Sequence, residues 1–399
     1  MIKIQLLRLH GIDGQSTLNN RLRPNWRSTN GACLSKHLLR ASFLLLIPLY
    51  CSHITMAQDA AQGSWFVDSS GSETPVFLYS PTPTDFDPLT VSDSELAQYG
   101  FPPRPELSSV HYPAWKRMVT AKRIVPEAKS TNIYHASAGN SKSQSILEIA
   151  SVSGTASSTS TNNWSGYAVA GSSGTFSANN SAVYGEWIVP AVQPSIGTCS
   201  GNWVYGAEFV GLDGISGSSD TLQAGTQEDA VCQYGGTQVE GFYAYVEWYP
   251  AAATQLNLGV YAGDTVQVEV WYTTAAPQGH AYILDVTTGG SITAAVSLPS
   301  GAHYLGNSAE WIMERPVVSG ALADLPDYGA APWNSTYAYN TLNYFYPSSV
   351  PSGSTVYAIN MTCPPWNPSA SCTSTTTISN AGNVLGLDAL WFTVAGPAQ

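Results

Sequence analysis

From Thr161 onward this 399-residue chain has one basic residue, Arg315, against 16 acidic ones, a formal charge of −15. Such a surface repels a phosphate backbone and excludes nucleic acid as a partner. Histidine is almost as scarce there, with His280 and His303 alone. Neither HExxH nor a CxxC or CxxH spacing occurs, so no metal-ligand set is expected. GxSxG is missing too, and in acid an imidazole is protonated and cannot serve a nucleophile as base. The Asp-Thr-Gly or Asp-Ser-Gly run of aspartic peptidases is absent, as are glycine-rich phosphate loops. Sustained helical period is lacking, and the Gly and Pro content argues against long helices. Carboxylates and neutral amides are what remain for chemistry, with no metal or organic cofactor.

Residues 1–160 carry the opposite balance, 14 basic against 11 acidic. Within them 36–57 reads as an export signal. His37 and Arg40 precede the apolar run 41–50, and Thr55-Met56-Ala57 offers a small-x-small cleavage site. The run is short and broken by Pro48, so stable membrane association is not expected. Residues 58–157 are rich in proline and basic between Arg104 and Lys142, and end in the Ser/Thr-rich stretch 151–160. They read as a mostly irregular propeptide that docks electrostatically on an acidic body at neutral pH and acts as its intramolecular inhibitor. The expected organisation is a leader at 1–57, a propeptide at 58–157 and a body at 158–399. A basic leader on an acidic body points to a secreted precursor whose mature part works in acid, where carboxylate self-repulsion disappears. Of six cysteines, Cys199, Cys232, Cys363 and Cys372 fall in the body, and an oxidising compartment would make two disulfides. Three pairings are open; proximity favours 363–372 and 199–232.

The body reads as all-β. In 264–272, Val266, Val268, Val270 and Tyr272 share one face. Gly, Asn and Ser clusters punctuate the chain at intervals that suit an antiparallel sandwich. Three acidic strands stand out. Tyr243, Tyr245, Glu247 and Tyr249 share a face opposite Ala244, Val246 and Trp248. Glu310, Ile312 and Glu314 share a face opposite Trp311 and Met313. Phe209, Gly211 and Asp213 share a third, with Gln223 following shortly. Carboxylates among aromatics on a sheet face suit a cleft where burial raises a carboxyl pKa, although carboxylates on a wet sheet face are also ordinary.

Five motifs occur in order: Asn163-Trp164-Ser165-Gly166-Tyr167, Val210-Gly211-Leu212-Asp213-Gly214, Leu222-Gln223-Ala224-Gly225, Glu247-Trp248-Tyr249-Pro250 and Ala309-Glu310-Trp311-Ile312-Met313-Glu314. In this the chain resembles the glutamic peptidases (eqolisins) of the scytalidoglutamic and aspergilloglutamic type, from about Asn162 to the C-terminus. The resemblance implies a lectin-like (concanavalin) sandwich of two antiparallel sheets with the site on a concave face. It makes Gln223 and Glu310 the catalytic pair, with Glu310 ionised in the free enzyme as general base. The Gln223 amide would hold the water and the oxyanion. Phe209, Asp213, Tyr245, Glu247 and Glu314 match positions around that pair and line the substrate site. Phe209 and Tyr245 stand where fungal members have tryptophan, which keeps an aromatic wall but removes an indole N–H. Trp164 and Trp311 read as core or groove wall, and His280, His303 and Arg315 as surface or local structural residues. The expectation is a monomeric, secreted, acid-acting endopeptidase on protein and peptide substrates, made as a zymogen. Two rivals remain: a non-catalytic carbohydrate-binding sandwich, and a glycosidase using Glu247 and Glu310.

Overall fold

The computed structural model describes residues 61–66, 75–124, 156–179, 181–194, 201–233, 236–318, 320–362, 377–385 and 389–394. The signal-like segment 36–57 lies outside them, as do Cys199, Cys363 and Cys372. Cys232 is disulfide-bonded.

Antiparallel strands dominate. A continuous antiparallel ladder runs Thr254–Leu256, Gln238–Tyr249, Thr221–Cys232, Trp203–Leu212, Ser308–Glu314, Trp164–Ala170, Thr355–Thr362. It continues through Thr377–Leu385, Ala389–Val394, Ala330–Tyr339, Ser181–Ile188, Thr265–Tyr272, Gly279–Asp285 and Gly290–Val296. The ladder folds over so that its first part, the site tier, packs on its last part, the second tier. Alternation explains what meets between them. Val210, Ala224, Val246 and Trp311 of the site tier join Val183, Val268, Ile283 and Ile292 of the second tier in one buried core. Indole donors tie the tiers together: Trp311 Nε1 donates to Tyr184 O (2.8 Å), and Trp187 Nε1 to Thr226 Oγ1 (3.1 Å). Trp311 is therefore a core residue.

Two findings depart from the sequence reading. The stretch 151–160 is not all linker, because Ser157–Thr161 forms a strand parallel to Thr355–Thr362. Its Ser/Thr alternation is compatible with a sheet edge although it offers little apolar surface.

The second concerns the described residues of 61–124 (61–66 and 75–124), irregular over most of their length yet firmly packed. Val76–Tyr79 adds antiparallel to Gly290–Val296, and Gly63–Phe66 adds to Val76–Tyr79. Helix Asp93–Gln98 starts on a capping box: Ser92 accepts from the Glu95 amide while Glu95 reaches back to Ser92 N. Helix Tyr112–Val119 has Pro113 in its first turn and buries Trp115, Met118 and Val119, an i, i+3, i+4 stripe. These residues pack with Leu96 and Phe101 on Tyr184, Trp271, Tyr282, Leu284 and Tyr337, which point outward from the second tier. Both faces of Thr265–Tyr272 are consequently covered, and Gln267 and Glu269 are buried. Of the surface or local structural roles expected for His280, the structural one holds: it is buried, with Tyr79 OH on Nδ1 (2.8 Å) and Thr273 Oγ1 on Nε2 (2.9 Å). Arg315 is likewise buried, while His303 is exposed.

Candidate active site

Strand register assembles the site. Glu310 pairs with Gly211, Gly211 with Gln223, and Gln223 with Glu247. Residues directly opposite one another in a ladder point to the same face. The four thus form one row across four neighbouring strands, on the site-tier face turned away from the core. Two strand spacings, about 10 Å between backbones, separate Glu310 from Gln223. Gly211 lies between them and contributes no side chain. A Cβ built there would stand 3.4 Å from Glu310 Oε2 and 3.2 Å from both Phe209 Cε2 and Thr221 Cγ2. The glycine keeps open the space between a carboxyl and an amide.

The row is dry. Glu310 is 0% exposed, Gln223 5% and Glu247 8%. Gln223 Nε2 donates to Glu247 Oε2 at 2.7 Å, which fixes the amide. Gln223 Oε1 and both Glu310 oxygens are buried without a hydrogen-bond partner. Burial pushes the Glu310 carboxyl well above the usual range; the nearby Ser308 side chain opposes this and the Asp213 charge adds to it. The expectation of an ionised Glu310 in the free enzyme thus meets a cost. Hydrogen-bond donors or a cation would have to offset the desolvation of the anion. Glu247 is pushed up to about 8, by burial first and the Glu314 charge second, against the Gln223 bond.

The other expected residues fall on the same face in different roles. Phe209 pairs with Ile312 and with Gly225, and Gly225 with Tyr245, one row along from the carboxyl row. Phe209, Tyr245 and Ile312 belong to one buried apolar cluster against which Trp164 packs. The Trp164 ring meets Phe209 edge-on at 5.5 Å. Glu314, a further row along, accepts from Asn163 Nδ2 (3.2 Å), and burial raises it to about 7. Asp213 departs most from the substrate-lining role. It is fully buried, and its oxygens accept from Asn307 N (2.8 Å) and Leu305 N (2.6 Å). It adopts a left-handed φ of 67°, which aspartate tolerates better than most residues. Both oxygens being engaged, Asp213 anchors the loop that leads into the Glu310 strand. Burial raises its carboxyl to about 6.

Gly211 and Asn163 were visible only inside motifs. Their roles depend on register and on a neighbour 151 residues away in sequence. Among the described residues no group of three or more His, Cys, Asp or Glu is placed to hold a metal ion.

The β body thus sets one amide and two buried carboxyls in a single row, an arrangement that suits a hydrolase. The model of the Peptidase A4 family matches residues 162–384. The chain belongs to that family and is a glutamic endopeptidase. Aspergillopepsin-2 of Aspergillus niger is 28% identical over 206 residues, covering 48% of this chain and 69% of that protein. Scytalido-glutamic peptidase, solved with a peptide-based transition state analog, aligns with 59% of this chain and 98% of its own at 18% identity and a TM-score of 0.44. Aspergilloglutamic peptidase from Aspergillus niger aligns with 48% of this chain and 99% of its own, at 23% identity and a TM-score of 0.38.

Proposed function

We propose that Gln223 and Glu310 form the catalytic pair of a secreted endopeptidase that acts in acid and is made as a precursor. The observation that carries this is the row Glu310–Gly211–Gln223–Glu247, in which a side-chain-free position separates a carboxyl from an anchored amide. A water held over Gly211 would donate one hydrogen bond to Gln223 Oε1 and the other to Glu310. That contact, with the substrate amide closing over it, would supply the donors that let Glu310 ionise despite its burial. Glu310 takes a proton as the water oxygen bonds to the scissile carbonyl carbon. The carbonyl oxygen, now an oxyanion, accepts from the second N–H of Gln223, the first being engaged by Glu247. Glu310, whose environment favours the protonated form, then gives its proton to the amide nitrogen, and the C–N bond breaks to release an acid and an amine. Glu247 holds the Gln223 amide, and Asp213 holds the approach to Glu310. Phe209, Tyr245 and Glu314 line the groove on either side, and Glu314 contacts side chains beyond the scissile bond.

Secretion is supported by the signal-like segment 36–57, and acid action by a body that buries several carboxyls in neutral form. The described residues of 61–124 pack on the second tier, so direct plugging of the groove by them is not part of this reading. The two disulfides are assigned as 199–232 and 363–372 on proximity in sequence alone.

The test offers the purified protein an unfolded protein and a panel of oligosaccharides at about pH 3, with products identified by mass spectrometry. New peptide termini without glycan cleavage support the reading. Glycan cleavage or glycan binding without peptide products would replace it with one of the carbohydrate readings.

A further inference from the structure

The geometry points to a processed enzyme that keeps segment 61–124 as a permanent third layer. Once the chain is cut between that segment and the body, the two pieces remain one complex. The inference concerns a surface remote from the catalytic row and stands apart from the roles given to Gln223 and Glu310.

Three observations support it. The first is what the segment covers. Tyr184, Trp271, Tyr282, Leu284 and Tyr337 are buried together with Leu96, Phe101, Trp115, Met118 and Val119. Departure of the segment would bare a contiguous aromatic patch of the kind soluble proteins seldom expose. It would also open the edge of Gly290–Val296, which Val76–Tyr79 and Lys122–Arg123 now pair. The contact is specific as well as apolar: Tyr282 OH donates to Met118 O (2.7 Å), and His111 Nε2 lies 2.8 Å from Tyr346 OH.

The second observation is where the segment lies. It rests on the outward face of the second tier, whereas Glu310, Gln223 and Glu247 face outward from the site tier on the other side of the core. The described residues of the segment therefore cover a different face from the one that carries the row.

The third is charge. The basic composition of 58–157 suggested an electrostatic clasp that acid would undo. Among the described residues one ion pair crosses the contact, Arg117–Glu186 at 2.8 Å, and the Arg117 side chain is half exposed. Two other basic groups bond within the segment, Arg104 to Pro88 O and Val91 O with Asp93 beside it and Arg123 to Tyr99 O, while Lys116 and Lys122 are exposed. On the body side Glu269 bonds to Tyr339 OH, and burial keeps it neutral in acid. Two buried imidazoles, His111 and His280, also face this contact. Burial holds His280 neutral down to about 3. Apolar burial, which does not titrate, carries the rest.

The experiment uses the full chain carrying Glu310→Gln, with a site-specific protease sequence inserted within 130–150. After the cut, size-exclusion chromatography at about pH 7 and about pH 3 is read by mass spectrometry of each peak. The expected result is one peak containing both fragments at both pH values, unchanged by Arg117→Ala. Met118→Ala should raise the free-segment fraction at least about tenfold, as truncation of a buried methionine implies. Trp115→Ala should do so more strongly; the milder variant decides if Trp115→Ala fails to fold. A segment that elutes alone at about pH 3 while the body keeps its far-UV spectrum would overturn the inference. So would release by Arg117→Ala or indifference to Met118→Ala. The chain without Glu310→Gln, cut in the same way, adds one readout: peptide hydrolysis confined to fractions lacking the segment also overturns it. Co-elution with no hydrolysis in any fraction leaves the third layer standing and tells against the catalytic reading alone.

Discussion

Gly211→Ala places one methyl group in the middle of the row proposed to be catalytic, and its consequences for folding and for chemistry separate cleanly. The new Cβ would lie 3.2 Å from Phe209 Cε2 and from Thr221 Cγ2, and 3.4 Å from Glu310 Oε2. These contacts are tight but not impossible, and overpacking of this kind costs about 1–3 kcal/mol. Replacing a strand glycine by alanine returns about 0.5–1 kcal/mol through the unfolded chain. The net effect on stability is a loss of roughly 0–2.5 kcal/mol. The effect on catalysis is larger, because the methyl occupies the space where water and the scissile carbonyl must sit. A displacement of about 1 Å costs on the order of 100-fold, or roughly 2.7 kcal/mol in the barrier. The assay pairs a thermal melt with kcat/KM on a fluorogenic peptide in acid. A folded variant with kcat/KM within about threefold of wild type would refute the argument that the row works across Gly211.

Three further outcomes follow from the buried carboxyls. Asp229, Glu247 and Glu269 are each raised to about 8 by burial, and Glu208 and Glu228, both fully buried, well above the usual range. Unfolded, these groups titrate near 4, so the stability carried by their neutral forms is complete below about pH 4 and drains away as pH rises toward about 8. His280, held near 3, works the other way between about 6.5 and 3 but is outnumbered. Thermal melts should therefore give a lower Tm at about pH 8 than at about pH 4, and a higher one would contradict the burial argument. Glu269→Gln keeps an acceptor for Tyr339 OH and removes the titration. It should stabilise the protein at about pH 8 by up to roughly 4 kcal/mol relative to wild type and leave it nearly unchanged at about pH 4, as paired denaturant titrations would read. Asp213→Asn leaves one of the Leu305 and Asn307 amides without its acceptor, for a cost of about 1–3 kcal/mol. As a positioning change it should lower kcat more than it raises KM, and steady-state kinetics showing KM alone affected would return Asp213 to a substrate-binding role.

Much of the site was legible because period-2 alternation survives folding. Ala244, Val246 and Trp248 went to the core and Tyr245 and Glu247 to the other face, as their spacing implied. What alternation cannot supply is register between strands far apart in sequence. Gly211 and Gln223 are opposed only because Trp203–Leu212 and Thr221–Cys232 pair at that offset, and Glu310 joins them from a strand nearly a hundred residues on. The third layer was hidden for a different reason. Gln267 and Glu269 have the polarity of a wet face, and nothing in their own strand announces that Trp115 and Met118 will cover it. Local signals existed in Ser92 with Glu95 and in the spacing of Trp115, Met118 and Val119, but proline and basic residues around them set the tone of the segment. Asp213 carried a motif position without its geometry, since the amides it accepts from belong to 305–307.

The most direct test of the catalytic pair compares kcat/KM for wild type, Glu310→Gln and Gln223→Ala in acid, with pepstatin present and the fold of each verified by circular dichroism. Loss of the carboxyl should abolish measurable turnover, and loss of the amide should cost about 100- to 1,000-fold, the range for a removed oxyanion donor. A folded Glu310→Gln protein that cleaves peptides as fast as wild type would contradict the account at its centre.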